Sequence, residues 1–593
     1  MCRNAQTIPR ASGMMRPERN KGASGPAANA PDIVYTAIVG GYDVLMPPVG
    51  GAEGTHYVVL GDRRPRFTFG WEFRTLPAAA AGLSAPLANR WCKFFAHRLF
   101  PEARTSVYVD GNIRPTGPLV DIVGDLIASG AGIGLFRHPH CDTIEEEIAA
   151  CVMHRRLDAD GADAAMTQLE RYRAAGLPED YALTENNILV RDHAHPALEK
   201  AMALWWEEVT TGVARDQISL PWVRHASGLD TVLWDWTCRM PNPHFRFQEN
   251  HRRPGTLLKD VVHFVNESRD LSASVSAAGR LLEGARAVHT RFTAITTKRI
   301  SAPRLASSAS VVFLHAPSKA GSGSTVMRCH QLGNMIAEAM PERSVSICDD
   351  DTVPRGAIVI LNKSYLASVP PEALDRLVAR GNLLVCDHVD LRVLPRHVAR
   401  THAIMACSHR ALAHYRRNFP RIPSFHVTHH VDPRLRPGND AKGFSLGYID
   451  EPTQAMWSYR IRRRVGMVHV DTSRQDIGWL SRARDFDMHY AIRFRKLSEG
   501  YKPFLKGFTA AWCDSNMIVG RDVEDAEHYL GSDFPFLLGH RPTEDMVLAM
   551  IDRAATAHGG PLWREGLERM ARVRQLSSRD HVIGEFRSML ESL

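Results

Sequence analysis

The sequence predicts an α/β protein made of two successive series of alternating strands and helices, and three observations carry that reading. Short runs rich in β-branched and aromatic residues recur at 33–39, 56–60, 106–109, 132–136 and 187–190. Between them, apolar residues fall at helical spacing: Ile144, Ile148, Cys151 and Val152 on one face, Leu198, Met202, Trp205 and Trp206 on another. After a basic, Pro- and Ser-containing interruption the alternation resumes at 311. Such alternation implies sheets covered by helices.

Taken in chain order, residues 1–31 are rich in Arg, Gly, Ser, Ala and Pro, lack an apolar core, and read as a disordered basic tail. The first α/β unit spans 32–250. Residues 251–309 open on Arg252-Arg253-Pro254 and close on a Ser/Pro stretch, which suggests a basic linker carrying a helix around 275–294. The second series places strands at 311–314, 357–361, 383–386, 403–406, 425–428, 445–448 and 517–519. About 280 residues of it suit two Rossmann-like halves facing a cleft, at 310–435 and 436–593.

Composition narrows the function classes. Of 593 residues 44% are hydrophobic and 23% charged, which excludes a disordered, collagen-like or disulfide-scaffold protein. Lys+Arg number 73 against 65 Asp+Glu, a mild excess of +8 that suits an anionic ligand or a membrane surface. No aromatic-interleaved basic motif accompanies it, so nucleic acid is not an expected partner. Ten cysteines contain no C-x-x-C pair and sit singly in apolar runs, as buried free thiols in a reducing compartment do. No run reaches the ~18 apolar residues of a membrane span. The expected location is the cytoplasm, with peripheral contact at the inner membrane face.

Candidate chemistry in the first unit lies at strand ends, where open α/β sheets bind ligands. Tyr108-Val109-Asp110-Gly111-Asn112 ends a strand: Asp110 and Asn112 offer oxygens to Mg²⁺ or Mn²⁺ on a diphosphate, and equally form an Asp-Gly turn. In His138-Pro139-His140-Cys141-Asp142-Thr143-Ile144-Glu145-Glu146-Glu147, Thr143 and Glu146 make a capping box, while the histidines leave a metal site open. Arg215-Asp216-Gln217, after the Trp205-Trp206 helix, reads as an ion pair closing a helix.

These pieces occur in one order with Tyr35-Thr36-Ala37-Ile38, Gly40-Gly41-Tyr42-Asp43 and Arg90…Lys93. The ordered set resembles the glycosyltransferase-like domain of the plant TOD/MUCI type, over about residues 32–250. The resemblance implies a GT-A-like nucleotide-sugar fold, with Asp110 and Asn112 where a metal-binding D-x-D motif stands. It implies Thr36, Tyr42, Arg90 and Lys93 on the donor side and Asp216 as the catalytic or acceptor-binding carboxylate. His138, Glu146, Glu147, Arg215 and Gln217 fall on the acceptor side or in structural roles. A ceramidase-like amide hydrolase is the alternative attached to the same resemblance.

In the second series, Gly321-Ser322-Gly323-Ser324-Thr325 opens a helix without the Lys of a P-loop, and 387–390, 406–408 and 429–433 follow strands as cleft-lining loops. Arg493 precedes Lys502 and Lys506, whose four-residue spacing puts both ammonium groups on one helical face. Over roughly residues 310–560 the chain resembles the C-terminal half of GT-B glycosyltransferases, carried by the stretch from Tyr501-Lys502-Pro503 to Met517-Ile518, with Thr509 in place of the sugar-binding Glu and Asp514 in place of a Gly. The resemblance implies diphosphate binding without metal, or a degenerate module that recruits glycan. The combined expectation is a GT-A-like domain followed by a GT-B-like pair, moving a sugar from a nucleotide-diphosphate donor to a glycan or lipid-linked acceptor in cell-surface polysaccharide synthesis.

Overall fold

The computed structural model describes residues 31–248, 251–269, 271–296, 300–349, 352–391, 395–470, 477–493, 501–523 and 525–593. The basic tail at 1–30 lies outside them. The first unit is built on a seven-stranded sheet from β1 (Ile33–Ala37), β2 (His56–Gly61), β3 (Glu72–Thr75), β4 (Thr105–Val109), β6 (Ile133–Arg137), β7 (Thr184–Asp192) and β8 (Thr231–Trp234), while β5 (Ile113–Pro115) pairs with β9 (Phe245–Phe247) as a small ribbon. Its order is β3-β2-β1-β4-β7-β6-β8. β7 runs antiparallel to both neighbours, and the other pairs are parallel.

All five sequence-predicted strand runs of this unit form. β3 escapes the pattern because Glu-Phe-Arg-Thr at a sheet edge is charged and half-exposed rather than alternating. β8 escapes because its four residues are all half-buried and show no periodicity. Helices cover both faces. On one, Phe94 stacks on Trp205 at 3.9 Å, and both are fully buried. Truncating either to Ala would cost about 3–5 kcal/mol. Val152 departs from the expected apolar face and is exposed, since it lies at the frayed end of Ile144–Met153.

Helix Leu257–Glu267, which the sequence reading places in the linker, packs on the first unit. Its buried Asp260 pairs with Arg66 at 2.5 Å, Phe264 meets Phe67 and Phe69, and the Glu267 carbonyl accepts from Arg114. The expected helix near 275–294 is observed as Ala273–Thr296 and packs toward helices Pro395–Val398 and His409–Asn418 of the second series.

That series forms two parallel sheets. The first takes β10 (Val311–Leu314), β11 (Val345–Cys348), β12 (Ile358–Asn362), β13 (Leu383–Asp387), β14 (Ala403–Ala406) and β15 (Ser424–His426), ordered β11-β10-β12-β13-β14-β15. The second takes β16 (Leu446–Ile449), β17 (Gly466–Val468), β18 (Met488–Tyr490), β19 (Asn516–Gly520) and β20 (Leu537–Leu538), ordered β17-β16-β18-β19-β20. The terminal helix Arg579–Ser592 returns to the first of these sheets, burying Val582, Phe586 and Met589 in its core.

The first unit also touches the last sheet's domain. Trp457 Nε1 donates to His140 Nδ1 at 2.9 Å, Arg462 pairs with Asp142, and Arg137 lies over the Tyr459 ring at 5.0 Å. Eight of the nine cysteines among the described residues are buried and Cys348 is half-buried, all as free thiols. Among the described residues no helix is long and apolar enough to cross a membrane.

Candidate active site

Parallel register between β1 and β4 pairs Tyr35 with Tyr108 and brings the two strand exits together. Asp110 follows β4 directly, and its backbone N–H donates to the Asn187 carbonyl of β7 at 2.9 Å. Gly111 is required there, because a Cβ would lie 2.8 Å from Asp43 Oδ2. Lys93 reaches the same point from helix Ala85–Phe94, one turn beyond Arg90. Asp216 reaches it from the first residue of helix Asp216–Ser227, whose N-terminal dipole favours a carboxylate. Asn186 Nδ2 and Trp205 Nε1 both donate to the Asp216 carbonyl at 3.1 Å and fix that helix start.

The three charges meet. Lys93 Nζ is 2.7 Å from Asp216 Oδ2 and 3.7 Å from Asp110 Oδ1, and the Tyr108 hydroxyl donates to Asp110 Oδ1 at 3.0 Å. Lys93 is 6% exposed, Asp216 12% and Asp110 32%, so Asp110 is the carboxylate that faces solvent. Burial would raise Asp216, but the Lys93 and Arg90 charges and the Lys93 hydrogen bond outweigh it and hold this carboxyl well below the usual range. Burial pushes Asp110 above the usual range, against the pull of Lys93. Asp216 is therefore a fixed anion and Asp110 the better proton acceptor.

Other expected residues take different places. Thr36 is 1% exposed inside β1 with an unpartnered hydroxyl, so it cannot reach a donor in the cleft. Tyr42 is 49% exposed, with its ring 4.5 Å from that of His251. His251 pairs with buried Asp43 at 2.9 Å, and that carboxylate raises its pKa against the effect of burial. Asp43 stood in a quoted motif. His251, 208 residues away, left no local signal. Asn112 is 7% exposed and its amide donates to the Gln248 carbonyl at 3.0 Å, which commits it to the loop.

That geometry bears on a divalent cation. A cation shared by Asp216 and Asp110 would have to take the space beside the Lys93 ammonium, which lies 2.7 Å from Asp216 Oδ2 and 3.7 Å from Asp110 Oδ1. A double and a single positive charge at 4 Å and an effective dielectric of 20 repel by on the order of 8 kcal/mol. The Lys93 ammonium already stands between the two carboxylates and offsets their charge, so the residues suit an ammonium better than Mg²⁺ or Mn²⁺.

The His-Pro segment supports the site from behind. Thr143 caps its helix by accepting from Glu146 N–H, and Glu146 Oε2 accepts from Asp142 N–H at 2.6 Å. Arg215 donates to Glu147 Oε1 and Gln217 Oε1, both at 3.2 Å, which braces the residue preceding Asp216. His138, Cys141 and Glu147 form the trio of ligand-type side chains that comes within 4.8 Å among the described residues. His138 Nδ1 accepts from Cys141 N–H at 2.8 Å, so the ring proton sits on Nε2, facing Glu147 Oε2 at 3.8 Å. That leaves no imidazole lone pair for a metal, and the trio is a hydrogen-bonded brace.

In the second series Lys502 lies before helix Leu505–Trp512, not on a shared face with Lys506; Pro503 and the Phe504 cap separate them. Arg493, Lys502 and Lys506 still converge electrostatically. Lys506 and Arg493 both act on Asp450, after β16, which the sequence did not single out. Lys506 Nζ is 2.8 Å from Asp450 Oδ2 and 4.2 Å from the Tyr448 ring centroid. Burial lowers the Lys506 pKa while Asp450 opposes it. Thr509 sits half-buried one turn on. Asp514 has φ +50°, the left-handed conformation that explains a Gly at this point of the resembled motif. In the first sheet of the series, Asp387 is buried on Arg328 at 2.8 Å, whereas Asp390 pairs with Lys363 at 2.6 Å beyond Val389, held at φ +54°.

Residues 87–236 match the family model of the TOD1/MUCI70 glycosyltransferase-like domain. Over 170 residues the chain is 28% identical to the probable hexosyltransferase MUCI70 of Arabidopsis thaliana, covering 27% of this chain and 29% of that protein. The chain thus matches under a third of that relative's length.

Among solved structures, a glycosyltransferase from Rickettsia africae aligns with 48% of this chain and 98% of its own, at 9% identity and TM-score 0.34. The bifunctional glycosyltransferase WbbM aligns with 37% of this chain and 41% of its own, at 11% identity and TM-score 0.25. Mouse xyloside xylosyltransferase 1 aligns with 35% and 85%, at 9% identity and TM-score 0.24.

Proposed function

We propose that the first unit is a GT-A-type glycosyltransferase that moves a sugar from a nucleotide-diphosphate donor to a hydroxyl of a glycan or lipid-linked acceptor. The observation that carries this is the Lys93 ammonium held between Asp110 and Asp216 at the strand exits. Counting only its own strands, the sheet order 3-2-1-4-6-5-7 with the sixth antiparallel supports a GT-A reading. Lys93 and Arg90 neutralise the leaving diphosphate. Asp110, the more exposed and more basic carboxylate, accepts the acceptor hydroxyl's proton, and Asp216 holds Lys93 in place.

The second series is read as a GT-B-type pair, from two parallel sheets and the returning terminal helix. Because Thr509 carries no carboxylate where the resembled motif has its sugar-binding Glu, its role as a glycan-recruiting module is favoured over a second transfer. Peripheral attachment to a membrane face would bring a lipid-linked acceptor within reach of both units.

The test is incubation of the full chain with UDP-, GDP-, CMP- and dTDP-sugars, measuring released nucleotide. Release that Asp110→Asn abolishes supports the reading. Free fatty acid from ceramide, with no nucleotide release, would replace it with the amide-hydrolase reading.

A further inference from the structure

We propose that Lys93 is a built-in counter-cation, so that the first unit's site binds a nucleoside diphosphate without a divalent metal. This deepens the proposed function and rests on it. In a metal-dependent site two carboxylates, or a carboxylate and an amide oxygen, converge on an open space that the ion fills. Here the convergence exists but its centre is taken by an ammonium, 2.7 Å from one carboxylate and 3.7 Å from the other.

The ammonium is not a passing surface group. It is 6% exposed, lies 5.3 Å from the Tyr108 ring centroid, and comes from a helix whose next residue, Phe94, is stacked on Trp205. Asn112, the second oxygen donor a metal would want, is 7% exposed and its Nδ2 donates to the Gln248 carbonyl at 3.0 Å, which fixes the amide in the loop. Further positive charge stands around the same carboxylates: Arg90 acts on Asp216, and His251, paired with Asp43, acts on Asp110. Diphosphate charge can thus be met by Lys93, Arg90 and His251, which form charge-assisted contacts with no ion to recruit.

Mn²⁺ titration of the full-length protein, followed by electron paramagnetic resonance, reads the first half of the proposal. The wild type should show no Asp110-dependent Mn²⁺ binding up to millimolar concentration. Lys93→Ala vacates the space between the carboxylates and should acquire a Mn²⁺ site that the added Asp110→Asn change removes. Calorimetry with UDP and GDP reads the second half. Binding should be unaffected by EDTA, fall tenfold or more in Lys93→Ala, and survive in Lys93→Arg, which keeps the charge and guards against misfolding of the Ala variant. Wild-type binding of Mn²⁺ lost in Asp110→Asn, or nucleotide binding that needs added Mn²⁺, overturns the proposal. If no Lys93-dependent nucleotide binding is found, the donor reading falls with the proposed function, while the Mn²⁺ titration still decides whether Lys93 excludes a metal.

Discussion

Lys93 Nζ donates to Asp216 Oδ2 at 2.7 Å, joining a helix of the first half of the unit to one that begins 123 residues later. Both groups are nearly buried, so neither can be removed without stranding the other. Breaking such a pair from one side costs about 3–5 kcal/mol, because a buried charge is left alone. Lys93→Met should lower unfolding free energy by that amount in urea titration, and Lys93→Met/Asp216→Leu should recover part of it. A loss under 1 kcal/mol in the single variant would show the pair to be solvated.

Acid should destabilise the protein well above the carboxylate range. His138, His388, His429 and His489 are each at most 6% exposed, and burial pushes them down to about 3, 3, 3 and 4. Their folded pKa values lie below the unfolded value of about 6.5, so the unfolded chain binds more protons as pH falls. Stability is present above pH 6.5 and drains away beneath it. By pH 5.5 each costs about 1.4 kcal/mol, together about 5–6 kcal/mol. Thermal melts at pH 7.5, 6.5 and 5.5 should show a steep fall; a flat profile would mean these rings are hydrated or already charged.

Limited trypsinolysis should cut in the exposed stretch around Arg304 rather than at Arg252 or Arg253, since helix Leu257–Glu267 is anchored to the first unit. The nicked halves should still co-elute in gel filtration, held by His140–Trp457 and Asp142–Arg462. Arg462→Ala should weaken that association. Cleavage first at 252–253 would return the boundary to the start of the basic segment.

At the second site, Asp450 competes with any anion for Lys506. Asp450→Asn should tighten UDP binding about three- to tenfold, roughly 1 kcal/mol, and Lys502→Gln should weaken it. Calorimetry showing neither change would remove phosphate from the role of this cluster.

The amino-acid sequence alone determined the two α/β series, because burial on both faces of a parallel sheet demands apolar runs such as 311–314 and 383–386, and these alternate with helical spacing. It also marked Asp110 by its Asp-Gly strand end, while Lys93 and Asp216 were named through the family resemblance. What tertiary structure decided is which charges meet. Lys93 could neutralise a donor or a carboxylate, and only the packing of helix Ala85–Phe94 against Trp205 brings it onto Asp216. Asp450 and His251 gained their roles the same way, through partners 56 and 208 residues distant. Periodicity reports which face of an element is buried. Ion pairing depends on where separate elements come to rest, and that is set by the whole core.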